Sequence, residues 1–76
     1  MSITVYSQKA CVPCAKLKYW LNKNKVKYEE TPIEDHITML TSLGFMAAPV
    51  VAIDGRYFNG ADLIRVADHI RDNGGI

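Results

Sequence analysis

The tetrapeptide Cys11-Val12-Pro13-Cys14 decides how this 76-residue chain is interpreted, because it holds the only two cysteines in the sequence. A short β-branched run from Ile3 to Val5 precedes it, and an amphipathic pattern typical of a helix follows it directly. Two cysteines three positions apart on a helix lie on one face, within reach of each other for a disulfide. We therefore expect a strand, a loop and then a helix that begins at the cysteine pair.

The start of this helix predicts different roles for the two cysteines. A helix N-terminus leaves backbone N–H groups unpaired and a partial positive charge exposed. A free cysteine has a pKa near ~8.5, which a C-x-x-C arrangement at a helix start lowers to roughly 3.5–7.5. The field acts much less on Cys14, one turn deeper. Cys11 is therefore expected to attack a substrate disulfide, and Cys14 to release the product by attacking Cys11, which is thiol–disulfide exchange.

Other interpretations of the same residues remain open. Lys9 stands two residues before Cys11, where it adds positive charge near the thiolate or is simply a solvated loop lysine. The cysteines are alternatively inert buried thiols or part of a zinc site, which needs three or four protein ligands. The remaining zinc candidates, His36 and His69, have no paired ligand spacing and are expected on solvated helix faces, so no metal site is predicted.

Length and composition restrict the class of protein. The chain, residues 1–76, is short enough to be one domain with a small core, and a monomer is expected. Hydrophobic residues make up 49% and the net charge is +1, which indicates an ordered globular domain without a nucleic-acid or membrane partner. Neither a signal peptide nor a membrane span is predicted. A small secreted domain is usually stabilised by several disulfides, and one closely spaced cysteine pair does not provide this. A cytoplasmic location is therefore expected.

Strand and helix signals alternate along the chain. They predict a strand over Ile3–Tyr6, a helix from the cysteines to about Asn24, a strand over Val26–Glu29, a helix from Thr31-Pro32-Ile33-Glu34 to Gly44, strands over Val50–Ile53 and Arg56–Phe58, and a helix from about Ala61. The second helix is expected to begin with a capping box between Thr31 and Glu34, and its apolar stripe is Ile33, Ile37 and Leu40. Asp54-Gly55 predicts the turn of a hairpin.

This order, β-α-β-α-β-β-α, predicts an α/β fold. The first strand–helix–strand unit should place two parallel strands side by side with a right-handed crossover. The hairpin then adds antiparallel partners. The result is one mixed sheet of four strands flanked by three helices.

The chain resembles the glutaredoxin branch of the thioredoxin fold over nearly its whole length. The segments that carry the resemblance are Val5-Tyr6, Cys11-Val12-Pro13-Cys14, Ala48-Pro49-Val50-Val51 and Phe58-Asn59-Gly60-Ala61-Asp62-Leu63. Within that branch it is most similar to NrdH-type redoxins, because of its short length, Val12 and Gly44-Phe45. That resemblance implies reduction by thioredoxin reductase, electron donation to ribonucleotide reductase or other disulfide-containing proteins, and no tightly bound cofactor besides the redox-active disulfide.

The resemblance also bears on Pro49, which opens a predicted strand. A proline there is either an ordinary strand-start residue or follows a cis peptide bond. The resemblance favours the cis bond, with the backbone N–H and C=O of Ala48 turned toward the cysteines to pair with an extended substrate segment. The substrate-contacting residues that it implies are Val12, Pro13, Ala48, Pro49, Val50, Gly60, Ala61 and Asp62. Lys9 is added to them because of its charge near the thiolate.

Three departures from the NrdH pattern leave glutathione as an alternative reductant. Met46-Ala47 stand where NrdH-type proteins usually carry Arg-Gln, and Gln8 replaces a lysine often found there. The start of the last helix looks more like the glutathione-contacting segment of true glutaredoxins. In that segment, N–H groups at Ala61 and Asp62 would meet the γ-glutamyl carboxylate. An iron–sulfur or zinc carrier is less favoured, because glutaredoxins of that kind usually keep a glycine and a serine in the motif.

Overall fold

The computed structural model describes residues 1–75 and contains the predicted order of strands and helices. The strands are β1 (Ile3–Ser7), β2 (Glu29–Pro32), β3 (Val50–Ile53) and β4 (Arg56–Asn59). The α-helices are α1 (Val12–Lys23), α2 (Ile37–Ser42) and α3 (Leu63–Asp72), and a short 3-10 helix, Ile33–His36, precedes α2. The sheet order is β2-β1-β3-β4, with β1 parallel to β2 and β3 antiparallel to both β1 and β4. The predicted four-stranded mixed sheet is therefore confirmed.

Apolar side chains fill both faces of the sheet, in the alternation that the period of a strand requires. The larger core packs α1 and α3 against one face, and its buried members are Ile3, Val5, Leu17, Leu21, Val26, Val51, Ile53, Phe58, Val66 and Ile70. The smaller core packs α2 against the other face through Tyr6, Leu40 and Val50. Each fully buried aliphatic side chain stabilises the fold by about 1.5–3 kcal/mol. Leu17, one turn beyond Cys14, thereby fixes the first turn of α1 on the sheet.

The position predicted for the second strand is wrong by three residues. Val26 is buried, but it lies just beyond the end of α1 and outside β2. The N–H of Val26 donates to Leu21 O at 2.9 Å, and that of Lys25, at φ +56°, donates to Asn22 O at 3.1 Å. This is a Schellman motif, in which an apolar residue just beyond the helix packs back onto it. The apolar signal at Val26 therefore marks a helix cap, and the strand begins only at Glu29.

The capping box predicted at Thr31 is also wrong. Thr31 and Pro32 complete β2 by pairing with Tyr6 and Ser7 of β1, and the α-helix begins only at Ile37. The Thr31 hydroxyl lies 3.2 Å from His36 Nε2. Pairing with β1 thus overrides the local helix-start signal.

The late start of α2 also changes which of its residues are buried. Leu40 is buried and Ile33 packs partly against the smaller core, but Ile37 is 55% exposed, so the predicted apolar stripe is only partly correct. The predicted end of the helix is confirmed. Gly44, at φ +92°, donates to Thr41 O, and Phe45 donates to Leu40 O, which is again a Schellman motif.

Candidate active site

Cys11 is the N-cap residue of α1. Ala10 takes a left-handed conformation, with φ +54°, and brings the chain from β1 into the helix. Cys11 is extended, and its Sγ accepts a hydrogen bond from the backbone N–H of Cys14 at 3.2 Å. A sulfur thus occupies the place that a serine or aspartate oxygen takes in an ordinary helix cap. Pro13 in the first turn has no N–H, so it offers no second donor there.

The two sulfurs are joined in a disulfide and differ in their access to solvent. Their Cα atoms are 5.2 Å apart, within the usual range for the bond. Cys14 is 1% exposed, whereas Cys11 is half-buried at the surface. A large molecule can therefore reach the sulfur of Cys11 but not that of Cys14.

The Ala48–Pro49 peptide bond is cis, as predicted. Pro49 and Val50 are buried, and the carbonyl of Pro49 accepts a hydrogen bond from Gly60 N–H at 2.9 Å. A Cβ at position 60 would lie 2.9 Å from Pro49 Cγ and 3.0 Å from both Pro49 O and Leu17 Cδ2. Glycine at position 60 therefore allows three segments to pack closely together. They are the start of β3, the residues just before α3 and the first turns of α1.

Two small depressions lie beside these segments. One, of about 200 Å³, brings together the predicted residues Val12, Pro13, Gly60 and Ala61 with Lys16, Leu17 and Leu63. The other, of about 140 Å³, contains Ala48 and is lined largely by Ile33, Ile37, Leu40, Phe45, Met46 and Ala47. The side chain of Met46 is 87% exposed at its rim. Asp62 is exposed and caps α3, with its Oδ1 accepting from Arg65 N–H at 3.3 Å.

Lys9 lies in a third depression, of about 370 Å³, beside a polar cluster that the sequence did not predict. Glu30 Oε2 accepts hydrogen bonds from Lys18 Nζ at 2.8 Å and from the buried Ser7 hydroxyl at 2.6 Å. These contacts, that of Lys18 first, lower the pKa of Glu30. Sequence patterns do not reveal this cluster, because its members come from three separate elements, β1, α1 and β2. Lys9 itself is exposed and belongs to neither ion pair found within residues 1–75.

Replacing Glu30 with glutamine is expected to destabilise the protein slightly at pH 7 and not at low pH. Its folded-state pKa lies below the reference value of 4.5, so its ionised form stabilises the fold above that pH. The contribution is lost as pH falls through the folded pKa. Because the carboxylate is partly exposed, we expect only about 0.2–1 kcal/mol.

Urea unfolding of the wild type and Glu30→Gln at pH 7 and at about pH 3 measures this contribution. Glu29→Gln is the matched control, because within residues 1–75 Glu29 forms no ion pair. A difference that persisted at low pH would contradict the assignment to the ionised carboxylate.

The histidines occupy different positions from those predicted. The ring of His36 packs edge-on against Tyr6 with centroids 5.0 Å apart, and that of His69 lies 4.7 Å from Phe58. Both are half-buried rather than on solvated faces. Across residues 1–75, no group of three or more histidine, cysteine, aspartate or glutamate side chains is placed to hold a metal ion.

Comparison with solved structures defines the class of fold. The thioredoxin-like protein BC3987 and a mutant of it each match with a TM-score of 0.76 and 30% identity. Each match covers 88% of this chain. It also covers 97% of the BC3987 chain and 96% of the mutant chain. The protein therefore has a thioredoxin-like fold. In the part of the chain that the structure describes, no helix is both long and apolar enough to cross a membrane.

Comparison of sequences then identifies the family. The glutaredoxin family model matches residues 3–58. Two proteins named glutaredoxin-like protein NrdH, from Lactococcus lactis subsp. lactis (strain IL1403) and subsp. cremoris (strain MG1363), are each 33% identical over 61 residues. Those residues are 76% of this chain and 85% of each relative. The chain belongs to the glutaredoxin family, and its cysteine pair makes it a thiol–disulfide oxidoreductase.

Proposed function

We propose that this protein is a dithiol electron carrier that reduces disulfides in other proteins. The thiolate of Cys11 attacks one sulfur of the substrate disulfide, which forms a mixed disulfide and releases the other sulfur as a thiolate. Cys14 then loses its proton and attacks Cys11 Sγ, which releases the second substrate thiolate and leaves the Cys11–Cys14 disulfide. Two electrons pass to the substrate in each cycle.

The observation that carries this assignment of roles is the unequal access to the two sulfurs. Cys11 lies at the surface, where the Cys14 N–H points at its Sγ, while Cys14 is enclosed. A hydrogen bond to the charged form favours a thiolate on Cys11. The buried position of Cys14 protects the mixed disulfide from a second outside thiol, so the internal attack is the step that completes the reaction.

The surface around Cys11 suits an extended segment of a substrate protein. We assign the backbone of Ala48 to pairing with that segment, in front of the buried Pro49 and Val50. Val12 and Pro13 provide apolar contact on the other side, together with the Gly60-Ala61-Asp62 start of α3. The exposed Lys9 adds positive charge to the approach.

We further propose thioredoxin reductase as the electron donor, with ribonucleotide reductase or other disulfide-containing proteins as acceptors. The likeness to proteins named NrdH supports this direction of electron flow. The protein would act as a single-domain monomer in the reducing cytoplasm. Glutathione is the alternative donor, and the apolar Met46-Ala47 at the rim of the site offers it no charge.

A pair of coupled assays tests the choice of donor. Oxidation of NADPH in the presence of a protein disulfide should be sustained by a bacterial thioredoxin reductase together with this protein. It should stay at background when glutathione and glutathione reductase replace that enzyme. Cys11→Ser is the control in both assays, since it removes the attacking sulfur. Sustained turnover with glutathione alone would reject thioredoxin reductase as the donor.

A further inference from the structure

The charges of this chain are unevenly divided along its sequence. Residues 1–28 hold six lysines and no acidic residue. Residues 29–76 hold three arginines and all eight acidic residues. The two parts therefore carry formal charges of +6 and −5. Since α1 lies within the first part, its solvent side is a basic surface.

A stripe of exposed side chains on α1 begins beside the redox site and runs along the helix. Its four members are Val12, Lys16, Tyr19 and Lys23. They are separated by four, three and four positions, which places them on one face of the helix. Val12 and Tyr19 are each 66% exposed, and Lys23 Nζ lies 5.9 Å from the centre of the Tyr19 ring. Because Val12 belongs to the cysteine motif, this outer stripe of α1 is continuous with the redox site.

The charge on the outer stripe exceeds what the stability of the helix requires. α1 contains three lysines and no acidic residue, so no pair of opposite charges forms within it. Its first turn also lacks the acidic side chain that stabilises a helix start. Within residues 1–75 Lys18 has an ion pair, with Glu30 of β2, but Lys16 and Lys23 have none. Lys23 alone, in the last turn, complements the helix dipole.

The same charge extends too far from Cys11 to act on its thiolate alone. Lys23 follows Cys11 by about 18 Å along the helix axis, at a rise of 1.5 Å per residue. The Debye length at physiological ionic strength is about 8 Å, so a charge at that distance is largely screened. The exposed Lys25 and Lys27 follow at the same end of the helix. A basic surface of this length suits contact with a large molecule rather than with the reacting atoms.

We propose that the outer stripe of α1 is a docking surface for an acidic segment of the protein whose disulfide Cys11 reduces. This proposal deepens the proposed function and rests on it, since a substrate protein that reaches Cys11 must lie across the exposed Val12. From there its chain can continue along α1, where Lys16 and Lys23 attract carboxylates and Tyr19 offers an apolar ring between them. Nucleic acid is not the expected occupant, because it carries no disulfide and is repelled by the −5 charge of residues 29–76.

Two synthetic peptides that differ only in charge test this surface. Both contain the same disulfide loop, flanked on each side by a flexible spacer and then by a run of four glutamates in one peptide and four glutamines in the other. A spacer of about six residues reaches roughly 20 Å when extended, which spans the stripe. Cys11 of the reduced protein attacks the loop, Cys14 resolves the mixed disulfide, and the peptide leaves as a dithiol while the protein becomes oxidised.

Acid quenching and mass spectrometry give the single-turnover rate constant for each peptide. The ratio of the glutamate to the glutamine constant reports on docking, because a change in the reactivity of Cys11 affects both peptides equally. At low ionic strength the wild-type ratio should be about tenfold, as expected for electrostatic steering. It should approach one at about 0.5 M salt, where screening is much stronger.

Three double variants locate the effect. Lys16→Gln/Lys23→Gln should lower the ratio at low salt by at least about threefold, because two cations of the stripe are lost. Lys16→Arg/Lys23→Arg keeps both charges and should keep the ratio. Arg56→Gln/Arg65→Gln is the matched control, since it removes the same net charge from exposed positions outside α1 and should also keep the ratio. All four positions are exposed, so the variants should fold like the wild type.

Four outcomes would overturn the proposal. Equal rates for the two peptides at low salt would show that the stripe does not recognise acidic segments. An equal loss in the lysine and arginine variants would assign the effect to net charge. A dimer seen by sedimentation and abolished by Lys16→Gln/Lys23→Gln would assign the stripe to a second copy. Binding of a single-stranded oligonucleotide that the same substitutions abolish would assign it to nucleic acid.

Failure of the proposed function gives a different result from failure of the docking surface. If neither peptide oxidised the reduced wild type at any salt concentration, the reduction of protein disulfides would itself be rejected, and the docking surface with it. Rates that are measurable but equal would reject the docking surface alone. No reductase is present, so neither result depends on which electron donor serves the protein.

Discussion

The Cys14→Ser variant is expected to accumulate a stable mixed disulfide between Cys11 and a protein substrate. Cys11 keeps its place at the start of α1, so the first attack proceeds, but no internal sulfur remains to release the product. Turnover of protein disulfides should fall to the level measured without protein. Non-reducing electrophoresis and mass spectrometry of the trapped adduct would locate the bond at Cys11.

Cys11→Ser is the matched control, and it should trap no substrate, because the remaining sulfur at Cys14 is almost completely enclosed. Alkylation of the reduced wild type across a pH series provides an independent measurement. At pH 7 Cys11 should react at least about tenfold faster than Cys14, with a pKa below ~8.5. If Cys14 were the more reactive thiol, or if Cys11 titrated like a free cysteine, the assignment of roles would be wrong.

Replacing Gly60 with alanine should cause the largest loss of stability among single-methyl additions near the site. The new Cβ would lie 2.9–3.0 Å from Pro49 Cγ, Pro49 O and Leu17 Cδ2, and one of these is backbone. Overpacking of this kind costs about 1–3 kcal/mol. For a chain of this size the melting temperature falls by roughly 4–8 °C for each kcal/mol. Because the displaced groups border the cysteine motif, the rate of disulfide reduction should fall as well.

Gly44→Ala separates crowding from backbone strain. A Cβ there meets no atom within 4 Å, although φ is +92°, so the cost is only that of the left-handed conformation, about 1 kcal/mol. This variant should therefore keep the redox activity of the wild type. Calorimetry measures the stability of Gly60→Ala and Gly44→Ala, and single-turnover reduction of a disulfide measures their activity. A Gly60→Ala protein that melts and reacts like the wild type would show that the close approach is not needed.

The order of elements and the chemistry of the cysteines were predictable because both depend on local patterns. Cys11, Pro13 and the apolar spacing of Leu17 and Leu21 define α1 without reference to any other segment. Asp54-Gly55 predicts its hairpin in the same way, because few dipeptides fit the tight turn. Each of these signals is contained within a few residues, and each is confirmed.

The errors arose where tertiary contacts compete with a local signal. The apolar side chain of Val26 belongs to the motif that ends α1 rather than to a strand. Thr31 and Pro32 form part of a strand because they pair with β1. Neither preference is visible in the local sequence alone. The polar cluster around Glu30 was missed for the same reason, since its members come from three separate elements.

The residues of the candidate site were likewise only partly predictable from the local sequence. The cis bond before Pro49 was predicted through the resemblance to a family and not through any property of Ala48 or Val50. Asn59 is named there only within the segment Phe58–Leu63 that carries the resemblance. An asparagine directly before glycine often accepts a hydrogen bond from its own backbone two residues on, and this was the available signal for its contact with Ala61.

The composition of the two outer strands has a consequence for behaviour at high concentration. β2 and β4 form the borders of the sheet, and among residues 1–75 each has one side without a neighbouring strand. β2 presents the exposed Glu29 and Glu30 and ends in proline, while β4 presents the exposed Arg56 and Asn59. Charges and proline at a sheet border discourage other chains from adding to it. Copies of this protein should therefore not associate through these strands, even at high concentration.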